Sequence, residues 1–196
     1  MGSHFWWYTA RACGLVAWGL VVASCAWGLM LALRVKVLGI RPTAAWTLSL
    51  HRWLSALAVT FTAVHVLAIL ADDFVGFSVG DVLVPFATSW HPVAVAWGIA
   101  SMYLLVAIEI TSLLRARLSY RAWRGLHLCS YVLLGATTIH LLTAGTDSTT
   151  VIPEAIAVVL GMFAVFSTVM LLTWRAAPKP RRIIITGDGQ GRTVDR

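Results

Sequence analysis

The chain has 196 residues, is 59% hydrophobic and 12% charged, and carries a formal net charge of +7. Soluble domains are about 45–50% apolar and about 25% charged, so this composition excludes a water-soluble globular fold and places the chain in the membrane class. The basic residues flank apolar runs and form no separate domain, which argues against nucleic acid as the partner of the charge and for membrane lipid.

Five apolar runs follow one another, at about 12–33, 46–70, 92–114, 123–145 and 152–174. Each is long enough, as a helix, to cross a hydrocarbon core of about 30 Å. The first is too long for the apolar stretch of a signal peptide, and no small-residue cleavage site is followed by a soluble domain. Met1-Gly2-Ser3-His4 resembles an expression remnant, so His4 carries no weight. Cys13 and Cys25 lie in the first run and Cys129 in the fourth. None belongs to a CxxC or CxxCH motif, and all three read as small buried hydrophobes.

The second run holds His51, Arg52 and His65. Residues 71–91 are too apolar for a solvated loop, with Phe74, Phe77, Val79, Val82 and Phe86, and too broken by Gly76, Gly80 and Pro85 for a span. They predict a short interfacial helix or cap. His91 and Trp90 stand at the head of the third run, as an interface anchor or as the lining of a site for an external acceptor. Glu109, near the inner end of that run, predicts an ion pair with Arg52 or a proton relay at a quinone site. The fourth run begins beside Arg121 and Arg124 and holds His127 and His140. The tail from Pro178 reads either as a small hairpin or as a segment without fixed structure. The expected domains are therefore 1–174, in the membrane, and 175–196, a short basic tail.

Charge sets the topology. Arg34, Lys36 and Arg41 lie between the first two runs, Arg115, Arg117, Arg121 and Arg124 between the third and fourth, and six basic residues after the fifth. The opposite side holds Asp72, Asp73, Asp81, Asp147 and Glu154, read as solvated loop charges that could also draw a cationic acceptor. The positive-inside rule puts the N-terminus outside and the C-terminus in the cytoplasm. The expected fold is thus an all-α membrane protein, a bundle of five transmembrane helices, in a bacterial-type plasma membrane. The ten tryptophans, Trp46, Trp53, Trp123 and Trp174 among them, cluster near run ends as interface belts do.

Histidine inside lipid is costly and needs a reason. His51 and His65 are fourteen apart (65 − 51), a step that rises about 21 Å and turns roughly 40° short of four full turns, so they share one helix face. His127 and His140 are thirteen apart (140 − 127) at similar depths. The expected pairs are His51 with His127 near the cytoplasm and His65 with His140 near the outside. Such pairs suit the two axial positions of heme iron, one heme per pair, and electron transfer without an open iron site. The competing expectation is four buried polar rings, each hydrogen-bonded to a neighbouring helix. Thirteen residues turn about 1300°, which leaves His140 off the face of His127 on an ideal helix. A kink or change of winding is expected, with Gly135 and Thr137–Thr138 as its place. Arg52 and Arg124 are candidate partners for heme propionates; the equal alternative for Arg52 is snorkelling to headgroups.

The segments HRWLSALAVTFTAVH (51–65) and WRGLHLCSYVLLGATTIH (123–140) resemble the ferric-reductase-like transmembrane domain. That superfamily includes ferric reductases, NADPH oxidase membrane domains and the heme subunit of the periplasmic methionine sulfoxide reductase system. The resemblance covers roughly residues 46–175. It implies that His51, His65, His127 and His140 ligate two b-type hemes. Family members often have six spans, and the first is not apparent here. Many also carry a cytoplasmic FAD and NAD(P)H domain; residues 175–196 are too few for one, and no GxGxxG occurs. The expected function is a two-heme cytochrome moving electrons from a cytoplasmic flavoprotein or quinol to an external acceptor. The alternatives are an electron-donating heme subunit of a separate external oxidoreductase and a heme-free scaffold or transport component.

Overall fold

A computed structural model describes residues 4–33, 43–73, 75–144, 160–161, 168, 182–185 and 191–194. It divides into two compact units, Met1–Val159 and Leu160–Arg196. In the second unit, Arg182–Ile185 (β1) and Gly191–Val194 (β2) pair antiparallel, with Arg182 opposite Val194. The hairpin alternative for the tail is the one that forms, so strands accompany the expected all-helical fold.

The first unit is helical. Its elements are α1 (Phe5–Leu33), α2 (Ala44–Leu70), a short α3 (Val79–Leu83), α4 (Pro92–Leu113), a 3-10 turn at Arg115–Arg117, α5 (Tyr120–Leu128) and α6 (Ser130–Ala144). Four stretches are long and apolar enough to cross a membrane: Phe5–Ala32, Ala45–Leu70, Pro92–Leu113 and Tyr120–Ala144. They match the first four expected spans. The helix of the first begins at Phe5, earlier than about residue 12, because a helix satisfies its own backbone and carries Arg11 without a break. The expected fifth span, 152–174, lies largely outside the described residues.

Small residues let the helices approach. Ala10 and Ala17 of α1 and Ala58 and Ala68 of α2 are buried, and these two helices pack along one another. Helix α4 packs mainly on α6, and α1 also reaches α6, where the Trp18 indole donates to Thr138 at 3.2 Å. The Thr43 hydroxyl caps α2 by accepting from the Trp46 amide at 3.3 Å.

The segment between α2 and α4 is the expected short cap. Val82 is buried, Val79, Leu83, Val84 and Phe86 are exposed, and the Tyr103 hydroxyl of α4 ties the cap down by donating to the Leu83 carbonyl at 2.6 Å. Asp72 is buried, at 5% exposure, which corrects the expectation of a solvated loop charge. Helix α3 starts in a capping box, the Ser78 amide and hydroxyl both donating to Asp81 Oδ2, at 2.9 and 2.6 Å. These bonds hold the Asp81 carboxyl below its usual range. A depressed carboxyl stabilises the folded form above its unfolded pKa and loses that effect as pH falls through the folded value. Amide-exchange protection of Ser78 is therefore expected to drop below the ordinary carboxylate range, and Asp81→Asn to remove the pH dependence.

The change of winding expected at Gly135 or Thr137–Thr138 lies elsewhere. Helix α6 runs unbroken through those residues, and the Thr137 and Thr138 hydroxyls donate to the Leu134 carbonyl at 3.0 and 2.7 Å. The break is at Cys129, between α5 and α6, where the amide donates three residues back to Leu126 at 3.0 Å. A Cβ at Gly135 would meet nothing within 4 Å. Gly135→Ala is therefore expected to stabilise α6 by about 1 kcal/mol, visible as a higher unfolding temperature in detergent. A hinge at this position would give the opposite result.

Candidate functional site

The four histidines come from α2, α5 and α6 and meet in two pairs. The His51 and His127 rings are 6.0 Å apart between centroids and the His65 and His140 rings 6.4 Å, with ring planes 79° and 76° apart. An imidazole nitrogen sits about 2 Å from a transition metal, so two rings on opposite sides of one metal have centroids roughly 6 Å apart. Both spacings meet that requirement.

Three of the rings are oriented by the backbone. His51 Nδ1 lies 3.0 Å from the Ser24 carbonyl, His65 Nδ1 2.7 Å from that of Ala10, and His140 Nδ1 2.8 Å from that of Ala94. A carbonyl only accepts, so in each ring Nδ1 carries the proton and donates it, and Nε2 keeps the lone pair a metal uses. The Ser24 hydroxyl also lies 3.2 Å from His51 Nδ1 and 2.9 Å from the Ser55 hydroxyl.

Glycines make the room. A Cβ on Gly14 would lie 2.9 Å from His65 Nδ1, one on Gly28 would lie 3.1 Å from His51 Cε1, and one on Gly98 would lie 2.7 Å from His140 Cε1. Gly14 and Gly28 are fourteen apart (28 − 14), as are Ala10 and Ser24 (24 − 10), which repeats the spacing of His51 and His65. Antiparallel packing of α1 on α2 then gives both histidines the same carbonyl-and-glycine seat. Sequence reasoning passed over these glycines, although their matching interval was a readable signal.

The His65–His140 pair opens onto a cavity of about 410 Å³, within the range of about 300–1,000 Å³ common for cofactor sites. Its α1 wall includes Trp7, Arg11, Gly14, Trp18 and Val21, and Phe77 and Trp90 line it from the connection between α2 and α4. Arg11 is the one charged side chain among the described lining residues other than the histidines. It had no assigned role in the sequence reading. Trp90 lines the cavity but His91 does not; His91 is exposed, starts α4 in the left-handed region at φ 40° and packs its ring 4.6 Å from Trp90.

The remaining expected residues divide. Arg124 is half-buried, 3.4 Å from the Tyr120 hydroxyl, and Arg52 is exposed beside His51. Glu109 lies within electrostatic reach of His51, and among the described residues no ion pair joins it to Arg52. The expected ion pair of those two does not form, and the Glu109 charge acts on His51 instead. Cys13, Cys25 and Cys129 are free thiols, half-buried where full burial was expected.

The pattern of the family described as ferric reductase like transmembrane component matches residues 13–138. The chain belongs to this family. The matched segment holds His51, His65 and His127 and stops two residues before His140, which the structure sets against His65. No curated protein and no solved structure matches the chain. Membership of the ferric reductase family, with four apolar helices of spanning length, makes this a multi-pass membrane protein with a transmembrane electron-transfer role.

The residues present fit heme. Among the described residues no three His, Cys, Asp or Glu side chains converge, so each pair offers two protein ligands. Heme supplies its own four equatorial nitrogens and asks the protein for two. The indole nitrogens of Trp123, at the His51–His127 pair, and of Trp27, whose ring packs on Trp46, are buried without a hydrogen-bond partner. Trp27 adjoins Gly28, which faces His51, and Trp123 stacks on His127. Buried donors of this kind suit a group that brings acceptor oxygens of its own.

Proposed function

We propose that the chain is a two-heme b-type cytochrome that carries electrons across a bacterial-type plasma membrane. The observation that carries this reading is the pair of facing histidine couples, 6.0 and 6.4 Å between ring centroids, on helices that cross the bilayer. His51 and His127 would hold one heme near the cytoplasm, and His65 and His140 a second near the outside. When bound, the two hemes supply one-electron transfer from a cytoplasmic flavoprotein or quinol to an external acceptor or partner protein. The protein's own contribution is positional. Carbonyls of Ala10, Ser24 and Ala94 hold three imidazoles in the ligating tautomer, and Gly14, Gly28 and Gly98 keep the space beside the rings open. Arg52 and Arg124 would answer propionate charge at the inner site, and Arg11 at the outer one.

The charge pattern supports an outside N-terminus, a cytoplasmic tail and a fifth span over 152–174. Glu109, in reach of His51, is suited to proton exchange at a quinol site on that side.

The test is electron transfer across a sealed vesicle. With an impermeant reductant inside and an impermeant ferric chelate outside, protein-containing vesicles are expected to reduce the chelate, and His65→Ala vesicles to fall to the rate of bare lipid. Equal rates for wild type and bare lipid would end the proposal.

A further inference from the structure

His127 is seated differently from the other three histidines. Helix α4 repeats the fourteen-residue interval, with Gly98 beside His140 and Ser112 (112 − 98) beside His127. At the inner position the small residue is therefore serine, and its hydroxyl is 3.5 Å from His127 Nδ1, the limit of a hydrogen bond. The carbonyl that would correspond to Ala94 is also engaged. Fourteen residues on, Ile108 accepts from the Thr111 hydroxyl at 3.1 Å, and so does its neighbour Ala107, at 2.7 Å. Among the described residues, His127 thus has no backbone carbonyl hydrogen-bonded to its ring.

It has an aromatic plate instead. The Trp123 ring lies 5.0 Å from the His127 ring at an interplanar angle of 19°, the one stacked ring pair among the described residues. Trp123 and His127 are four apart on α5, so the helix itself places one ring over the other. Trp123 is held from the other element. The Arg115 guanidinium, on the 3-10 turn before α5, lies 4.6 Å from the centre of the indole. Arg115, Trp123 and His127 form a ladder from the loop between α4 and α5 to the inner histidine pair.

We infer that Trp123, clamped by Arg115, is a positioning residue that fixes the imidazole plane of His127, the task that backbone carbonyls perform for His51, His65 and His140. The inference rests on the heme reading of the pairs. A stacked plate resists tilting of the ring but leaves rotation within its plane, whereas a carbonyl bond fixes direction. The inner ligand consequently depends on a side chain that substitution can remove, and the outer ligands do not.

Three variants of the full-length protein separate the outcomes, read by the low-spin ferric electron paramagnetic resonance spectrum and by heme retention. That spectrum responds to the angle between two axial imidazole planes. Trp123→Leu is expected to move or broaden the inner signal, leave the outer signal in place, and weaken inner heme retention about tenfold, the low end of losses when a ligand's supporting partner goes. Trp123→Phe keeps a stacking ring without the indole N–H, and is expected to restore the inner signal. Arg115→Gln is expected to give a smaller change of the same kind and serves if Trp123→Leu does not accumulate. Wild-type inner signals in both Trp123→Leu and Arg115→Gln would overturn the inference, and so would equal damage from Trp123→Leu and Trp123→Phe, which would assign the effect to the N–H. A wild-type protein without heme signals would instead overturn the underlying reading of the pairs.

Discussion

Replacing His140 with alanine is expected to leave a protein that binds one heme where the wild type binds two. His140 is on α6, its Nδ1 is tied to the Ala94 carbonyl at 2.8 Å, and its ring faces His65 across 6.4 Å. On the proposed heme assignment, alanine would remove one of the two side chains that hold the outer heme and strand His65. Among the described residues no third ligand stands by to replace it. His51 and His127 lie one leaflet away, about 21 Å along α2, and keep their own seat. The loss should therefore be confined to the outer site. The reciprocal variant, His127→Ala, should remove the inner heme and keep the outer. Heme per chain and the reduced absorption spectrum of the two variants check this. Equal heme content in wild type and both variants would refute the assignment.

A variant that touches no ligand is expected to do nearly as much. Gly98 is helical, and its ideal Cβ would lie 2.7 Å from His140 Cε1 and 2.9 Å from its Nδ1. No real Cβ sits that close, so the ring must yield. It has little freedom to do so, because Ala94, one turn away on the same helix, holds it. Gly98→Val adds two further methyl groups at that contact. Overpacking of this kind costs about 1–3 kcal/mol, and here relief comes through rotation of His140 away from the position it needs for ligation. The expected outcome is loss of the outer heme with the fold retained by circular dichroism. Gly19→Ala is the control: a Cβ there meets nothing within 4 Å, and heme content should not change. Two hemes of wild-type spectrum in Gly98→Val would show that the close approach has no bearing on the site.

The spans and the pairs were legible in the sequence for a physical reason. Long apolar runs report helices in lipid directly, and a histidine kept inside one has few inexpensive explanations. The cap over the outer face was also legible, since Gly76, Gly80 and Pro85 interrupt an apolar segment. The seats of the histidines were not read. Ala10, Ser24 and Ala94 act through backbone carbonyls, which have no signature in residue type. Gly14 and Gly28 did leave one, a fourteen-residue interval on the first span, but glycine in a membrane helix is common enough to hide it. Residue type points to Gly135 and Thr137–Thr138 for the change of winding, because glycine loosens a helix and threonine hydroxyls compete for its carbonyls. It falls at Cys129, where the chain tightens to a three-residue hydrogen bond that side-chain identity does not announce. Arg11 stands apart from the basic clusters that set the topology, and only the fold shows that it lines the cavity beside His65 and His140.

The most direct measurement is the amount of noncovalent heme in the purified, detergent-solubilised protein, quantified by optical redox titration against chain concentration. The geometry predicts two b-type hemes per chain, both low-spin and both with highly anisotropic ferric resonance signals, because the ring planes are 79° and 76° apart. One heme per chain, or none under conditions of ample heme supply, would contradict the account.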